Sequence, residues 1–382
     1  MNPNWPKMNL KTLLSKKPVF FSFVFLIIIL IKLTKVLNPS PTHRFELPVR
    51  ILPYALMKHG EIILDETQHQ IGRIGYGNFI GENFIYLIDR ANLLCLKYSQ
   101  SGKWMGIIGR RGRGPGEYSE PISIYAEEAR ERIFIFDVSK FGLICYNARG
   151  QFEFEKYFRN GYPYPGELQA FKNGYVITFF QYAGTNQWED IKYFHFLNHD
   201  FEIIDKWTLS FPPIYKRFNL FNLAAVYWSF HPHSQKLYVA FYAVPEVHVF
   251  ENGARNAIWQ LNLKRFKQID RAVTVANLAQ KIKIFSQYTY LDGLYLLSPD
   301  QLLIGYHTEE LPEIGNFKIF ESRKYRQYYF AVVDLTNQQL ILPAIDRLPG
   351  SLLGIRNCRL YILETDEPNN RRIGVYELHF PS

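Results

Sequence analysis

Ile85-Tyr86-Leu87-Ile88-Asp89, followed by Leu94-Cys95-Leu96-Lys97-Tyr98 and Gly102, returns as Ile133-Phe134-Ile135-Phe136-Asp137, followed by Leu143-Ile144-Cys145-Tyr146-Asn147 and Gly150. Asp89 to Asp137 is 48 residues, as is Gly102 to Gly150. Each copy has the same physical content. An apolar run short enough for a strand ends at Asp, a polar turn follows, and a second strand ends in a turn with Gly, where positive φ costs little.

Further strands flank the copies at Lys103–Ile108, Gln151–Phe158 and Pro121–Tyr125. Four short strands in roughly 40–50 residues make the unit of a β-propeller blade. Weaker copies continue. Gly174–Gln181, Ile191–Leu197 and Phe201–Leu209 suit a third blade. Ala224–Phe230, Lys236–Tyr242, Glu246–Phe250 and Ala257–Leu261 suit a fourth, and Tyr295–Leu297, Gln301–His307, Tyr328–Asp334 and Gln339–Leu342 a fifth. Leu352–Ile355, Arg359–Glu364 and Arg372–Phe380 give three strands of a sixth, while Arg44–Leu52 and Glu61–Leu64 are left over near the start. A strand from the start of the chain can therefore complete the last blade and close the ring, which removes an unpaired edge. The expectation is an all-β six-bladed β-propeller over residues 44–382. An insertion falls at about 264–287, with a short helix near Ala272–Lys281.

Composition agrees. Of the 382 residues 47% are apolar and 16% aromatic, including 31 Phe and 26 Tyr, which favour pleated, half-buried strands. The net charge of +9 does not point to nucleic acid. Residues 1–40 carry six lysines and no acidic residue, leaving +3 for the rest. Cys95, Cys145 and Cys358 form neither a disulfide framework nor a zinc motif, and are expected to be small buried apolar groups.

Pro18 to Ile31 is uncharged and strongly apolar, and apolar residues continue to Leu37 around Lys32 and Lys35. As a helix, residues 19–37 measure about 28 Å, the thickness of a hydrocarbon core. No small-residue cleavage site follows, so residues 18–37 are expected to be an uncleaved transmembrane signal anchor partnered by the lipid bilayer. Lys7, Lys11, Lys16 and Lys17 before the span place residues 1–17 in the cytoplasm. Residues 38–43 are then a linker, and the propeller is periplasmic or otherwise extracytoplasmic.

Between the two clearest copies lies Gly109-Arg-Arg-Gly-Arg-Gly-Pro-Gly-Glu-Tyr118, flanked by Gly102-Lys-Trp104 and Pro121-Ile122. This stretch resembles the G-x-x-G-x-G-P-G-E-aromatic turn of bacterial six-bladed propellers similar to NHL-repeat proteins. Glu61-Ile-Ile-Leu-Asp65 resembles that family's opening strand. The resemblance covers roughly residues 60–158 and implies a non-covalent ligand-binding scaffold, frequently exported.

Candidate sites follow from side-chain chemistry. Arg110, Arg111 and Arg113, with the backbone N–H groups of the glycine turn and Glu117, could receive a small anion. The same glycines equally make a tight passage between blades, with Glu117 pairing an arginine. His231-Pro-His233 reads as a turn rather than a metal site, and Asp89, Asp137 and Asp334 read as strand-end turn residues. Asn160–Gly166 reads as a Pro-stiffened connection. No nucleophile elbow or zincin motif occurs, so no catalytic residue, metal ligand or cofactor is nominated; calcium or zinc are the ions an axial carboxylate site would take. The expected function is a ligand-binding or protein-interaction scaffold, partnered by an envelope protein or a small anionic or carbohydrate ligand. The alternative is a metal-dependent, lactonase-like hydrolase or a lyase using the axial channel.

Overall fold

The computed structural model describes residues 42–379, apart from 54, 159–163, 172–173, 181–190, 221–222, 273–277, 311–324 and 344–345. The span expected at residues 18–37 lies outside the described residues. Among those described, no helix is long and apolar enough to cross a membrane.

Six antiparallel sheets of four principal strands follow one another along the chain. The first comprises Phe79–Ile80, Phe84–Asp89, Leu94–Ser99 and Trp104–Ile107, and the second Pro121–Glu127, Arg132–Asp137, Gly142–Asn147 and Phe152–Tyr157. The third comprises Tyr164–Phe171, Gly174–Phe180, Ile191–Asn198 and Ile203–Leu209; the fourth runs from Val226–His231 to Ala254–Gln260. The fifth is Thr289–Ser298, Gln301–Glu309, Arg326–Asp334 and Gln339–Pro343. The sixth takes Ser351–Arg356, Arg359–Thr365 and Arg372–His379 from the end of the chain, and Ala55–Ile63 from its beginning.

The apolar runs of the repeat have a simple cause. Alternate strand residues point to opposite faces, and both faces of a blade are buried against neighbours. Ile85 and Leu87 pack with Leu353, Leu363 and Ile373 of the sixth blade. Tyr86 and Ile88 pack with Ile124, Ile133 and Ile135 of the second. Phe134 and Phe136 then face Tyr175 and Ile177 of the third. Three further clusters fill the remaining junctions, so six cores lie between six blades and the ring is continuous.

Several strands differ from expectation. The closing strand begins at Ala55, well before Glu61, because it pairs along nearly all of Arg372–His379. Arg44–Leu52 is not part of it. His43–Glu46 extends the fourth sheet, and Val49–Leu52 pairs in parallel with Gln339–Pro343 of the fifth. The third blade opens with Tyr164–Phe171, so the end of Asn160–Gly166 belongs to a strand, while residues 159–163 lie outside the described residues. The helix in the fourth-to-fifth connection spans Leu278–Phe285. Cys95 and Cys145 are buried, but Cys358 is exposed. It shares a two-residue hairpin turn with Asn357, both at positive φ (60° and 50°), and a turn tip has no core to enter.

Candidate functional site at the axial channel

The first strands of all six sheets line one shared cavity of about 250 Å³. Ile80, Ser123, Gln169, Trp228, Leu294 and Leu353 each represent one blade on its wall. Ionisable side chains concentrate beside it, on the fifth blade.

A bulge starts the cluster. Inner-strand pairing skips from Leu291 to Gly293, leaving Asp292 as the extra residue and aiming it at the channel. Gly293 lets the Tyr295 ring pack close to the backbone: a Cβ there would lie 2.3 Å from that ring, which would have to move. On the next strand His307 stands across from Tyr290, and Glu309 stands across from Arg326 of the third strand. Arg326 donates from Nε to Glu309 Oε1 at 2.7 Å and from a terminal nitrogen to the Tyr76 hydroxyl at 2.7 Å. Burial opposes the charge on Arg326. The hydroxyls of Tyr76 and Tyr242 and the carboxylates of Glu309 and Asp292 outweigh it, and the guanidinium is held above its ordinary value.

Tyr76 comes from Gly75-Tyr76-Gly77-Asn78, the loop entering the first blade. Gly77 has φ +72°, and a Cβ there would lie 2.2 Å from the Ile122 carbonyl oxygen. The Gly77 carbonyl accepts from Ile124 N–H at 2.9 Å. Asn78 accepts from Ile88 N–H at 2.9 Å and donates to the Gly75 carbonyl at 2.8 Å. The loop is thus tied to two blades, while Tyr76 remains 52% exposed at the channel mouth.

His307 is wholly buried between these groups. Asp292 Oδ1 is 3.4 Å from its Nδ1, and Glu309 Oε1 is 3.8 Å from its Nε2. Neither nitrogen is in hydrogen-bond geometry with any described residue. Tyr242 and Tyr290 stack at 4.5 Å, and their rings lie 6.1 and 5.8 Å from the imidazole. Burial, with Asp292 and Tyr242 nearby, raises the Tyr227 hydroxyl well above its usual value, so it is a neutral donor. The mouth therefore combines two carboxylates, one guanidinium, an enclosed imidazole and several tyrosines.

The glycine turn is built differently. Arg110-Arg111 pairs in parallel with Glu117-Tyr118, and Arg110 Nε meets Glu117 Oε1 at 2.7 Å. Gly112 N–H donates to the Tyr118 carbonyl, Gly114 N–H to Glu117 and Gly116 N–H to Glu155, at 2.9, 2.7 and 2.6 Å. Those donors face inward. What the turn offers solvent is the exposed side chains of Arg111 and Arg113, together with that of Arg110, which is exposed but paired with Glu117.

Asp89 accepts from Gly72, Arg73, Ala91 and Asn92 N–H, and Asp137 accepts from Ser119, Glu120 and Lys140 N–H. These aspartates pin the inter-blade links to the strand-end turns, as their repetition suggested. His231 ends a strand, its Nε2 on the Pro299 carbonyl at 2.6 Å and its Nδ1 accepting from Ser234 N–H at 3.0 Å. Among the described residues, one set of side chains converges as metal ligands do: His59, Glu377 and His379, on the sixth blade.

Sequence reasoning did not single out Asp292, His307, Glu309, Arg326 or Tyr76. The visible signals were Gly75-Tyr-Gly77, Asp292-Gly293 and the alternation His307-x-Glu309. None of them belongs to the blade repeat, and the His-x-Glu alternation also occurs at His59-Gly60-Glu61, so none stands out as a site signal.

Comparison with known proteins agrees with this architecture. A member of the duf4221 family from Bacteroides vulgatus superposes with a TM-score of 0.66 at 10% identity, covering 86% of this chain and 99% of its own. A putative exported protein from Bacteroides fragilis gives 0.53 at 11% identity, covering 90% of this chain and 100% of its own. At these identities the likeness shows the fold alone. No curated protein is detectably similar. The family model described as a 6-bladed beta-propeller, DUF5128, matches residues 66–271, more than half of the chain, and the chain belongs to that family of six-bladed β-propellers.

Proposed function

We propose that this propeller is a binding module whose channel mouth takes a small polyhydroxylated ligand such as a sugar unit. The observation that carries this reading is the Arg326–Glu309–Tyr76 bridge with Asp292 beside the cavity. Carboxylates accept from neighbouring hydroxyls, guanidinium and phenol donate, and tyrosine faces cover the apolar side of a ring. Charge decides against an anion at this mouth. Two carboxylates stand against one guanidinium, and that guanidinium is already engaged by Glu309. A 250 Å³ cavity lies at or below the small end of ligand pockets, which suits one ring rather than a long chain.

A hydrolase or lyase would need a proton-transferring group that meets its substrate. His307, flanked by two carboxylates, has the right company but is fully enclosed by tyrosine rings, so binding is the reading we retain. We further propose that residues 18–37 tether the propeller to a membrane with its loops outside the cytoplasm, where an envelope protein would be met. The apolar run and the four lysines before it support this.

The test is calorimetric titration of the full chain with a panel of neutral, acidic and amino sugars, repeated with Asp292→Asn. Binding of neutral sugars that weakens at least about tenfold in the variant is expected. Binding of acidic sugars alone, or of none, sinks the proposal.

A further inference from the structure

The sixth blade is where the two ends of the propeller meet, and three ligating side chains gather on that seam. Glu377 and His379 are two apart on Arg372–His379 and so share one face of the sheet. His59 belongs to the closing strand Ala55–Ile63. The register shows how it is placed: Tyr376 pairs with Lys58 and Val375 with Gly60, leaving His59 as an extra, bulged residue. A bulge re-aims a side chain. His59 Nε2 meets Glu377 Oε2 at 2.8 Å. Its ring stacks on that of His379 at 6.0 Å with an interplanar angle of 25°. One ligand atom from each residue lies within 4.8 Å of the others.

We infer that His59, Glu377 and His379 form a site for a divalent zinc-class ion that staples the closing strand to the last blade. Two imidazoles and one carboxylate are a three-ligand zinc set that leaves a fourth position for water. Imidazole nitrogen favours zinc, nickel and copper over calcium and magnesium, which demand oxygen ligands. Zinc needs each donor at about 2.0–2.2 Å, so the three side chains would draw in from separations that are at most 4.8 Å. The side chains of His59 and Glu377 are each 36% exposed, so an ion can reach them. The bond would join residues separated by nearly the whole propeller. Only the closed ring presents all three ligands, so the ion stabilises the closed state by mass action. This site is separate from the axial residues and stands or falls independently of the ligand proposed there.

The experiment uses the full chain, stripped with a chelator, and measures Tm and equilibrium zinc uptake. Zinc is expected to bind at one equivalent per chain and raise Tm in a saturable way, while calcium and magnesium leave it unchanged. Substituted cobalt should show the visible absorption of a nitrogen–oxygen site. In the double variant His59→Gln/His379→Gln, zinc affinity should fall by at least about tenfold, with the metal-free Tm close to that of the parent. Both positions are surface residues, so the variant folds, and Glu377→Gln alone provides a second, milder test. Zinc uptake undiminished in the double variant, or no one-equivalent uptake by the parent, overturns the inference.

Discussion

Arg326 stands directly across the strand ladder from Glu309 and, from that position, also holds the hydroxyl of Tyr76 at 2.7 Å. The pair belongs to the fifth blade and Tyr76 to the loop entering the first, so one guanidinium ties together segments on either side of the sixth. Its side chain and that of Glu309 are only 11% and 10% exposed. The binding chemistry proposed for the mouth and the integrity of the ring therefore meet in a single residue.

Removing Arg326 alone should be costly. Arg326→Ala leaves Glu309 buried near Asp292 and His307 without its partner, and breaking such a pair costs about 3–5 kcal/mol. The double change Arg326→Met/Glu309→Leu should cost distinctly less, because no orphaned charge remains. Urea midpoints of the parent, Arg326→Met, Glu309→Leu and the double variant make the cycle. Additive losses in that cycle would show that the two side chains do not interact. Sugar binding at the mouth should be lost in Arg326→Ala and in the double variant alike.

A second arginine governs closure. Arg371 is 1% exposed; it donates to Glu66 and Asp366 at 2.7 Å each and to the Gly72 carbonyl at 3.2 Å. Glu66 in turn accepts from Ile71 and Asn369 N–H at 2.9 and 3.1 Å. This satisfied network joins the start of the propeller to its last strand. Arg371→Met should lower stability by about 3–5 kcal/mol and increase proteolysis near the N-terminal strand. An unchanged urea midpoint would show that closure rests on the strand ladder alone.

The repeat made blades legible wherever both faces of a strand are buried, since Ile85–Ile88 and Ile133–Phe136 need apolar residues at every position. Strands buried less evenly were harder to read. Tyr164–Phe171 contains Pro165 and Gly166, which read as a connection. Ala55–Ile63 is mostly exposed because it is an outer strand, so its residues carry little apolar signal. The channel cluster was illegible for another reason. Asp292, His307 and Arg326 meet only when three strands of the fifth blade pair, and Tyr76 joins them only when the ring closes, so no local spacing encodes a contact between residues 76 and 326.

The glycine turn gives a third prediction. Gly109 has φ +65°, and a Cβ there would lie 2.5 Å from the Tyr146 hydroxyl, whose own partner is the Gly116 carbonyl at 3.1 Å. Gly109→Ala combines left-handed strain with a clash against a buried ring and should cost more than about 1 kcal/mol. Arg111→Ala and Arg113→Ala remove exposed side chains and should change stability by less than about 0.5 kcal/mol. Thermal melts of the three variants decide this. If phosphate raises the Tm of the parent and not of Arg111→Ala/Arg113→Ala, the turn also receives an anion through those side chains.

Acid should destabilise the protein in two separate windows. His195 is fully buried, and burial first, with Lys206 second, depresses it from 6.5 to about 4. A histidine depressed in the folded state takes up its proton more readily when unfolded. Its contribution is therefore complete above about pH 6.5 and drains away as pH falls toward about 4. Asp89 acts lower. Burial works to raise it, but the N–H groups of Gly72 and Arg73 and the Asn92 side chain outweigh burial and hold the carboxyl below its ordinary 3.8. Its stabilisation is present above that value and is lost as pH drops through the folded-state value. Urea midpoints from about pH 7 down to about pH 3 should fall in both windows. His195→Gln should flatten the upper slope and leave the lower one, whereas Asp89→Asn should do the reverse from a lower starting stability. An upper slope that survives in His195→Gln would assign the acid sensitivity to other groups.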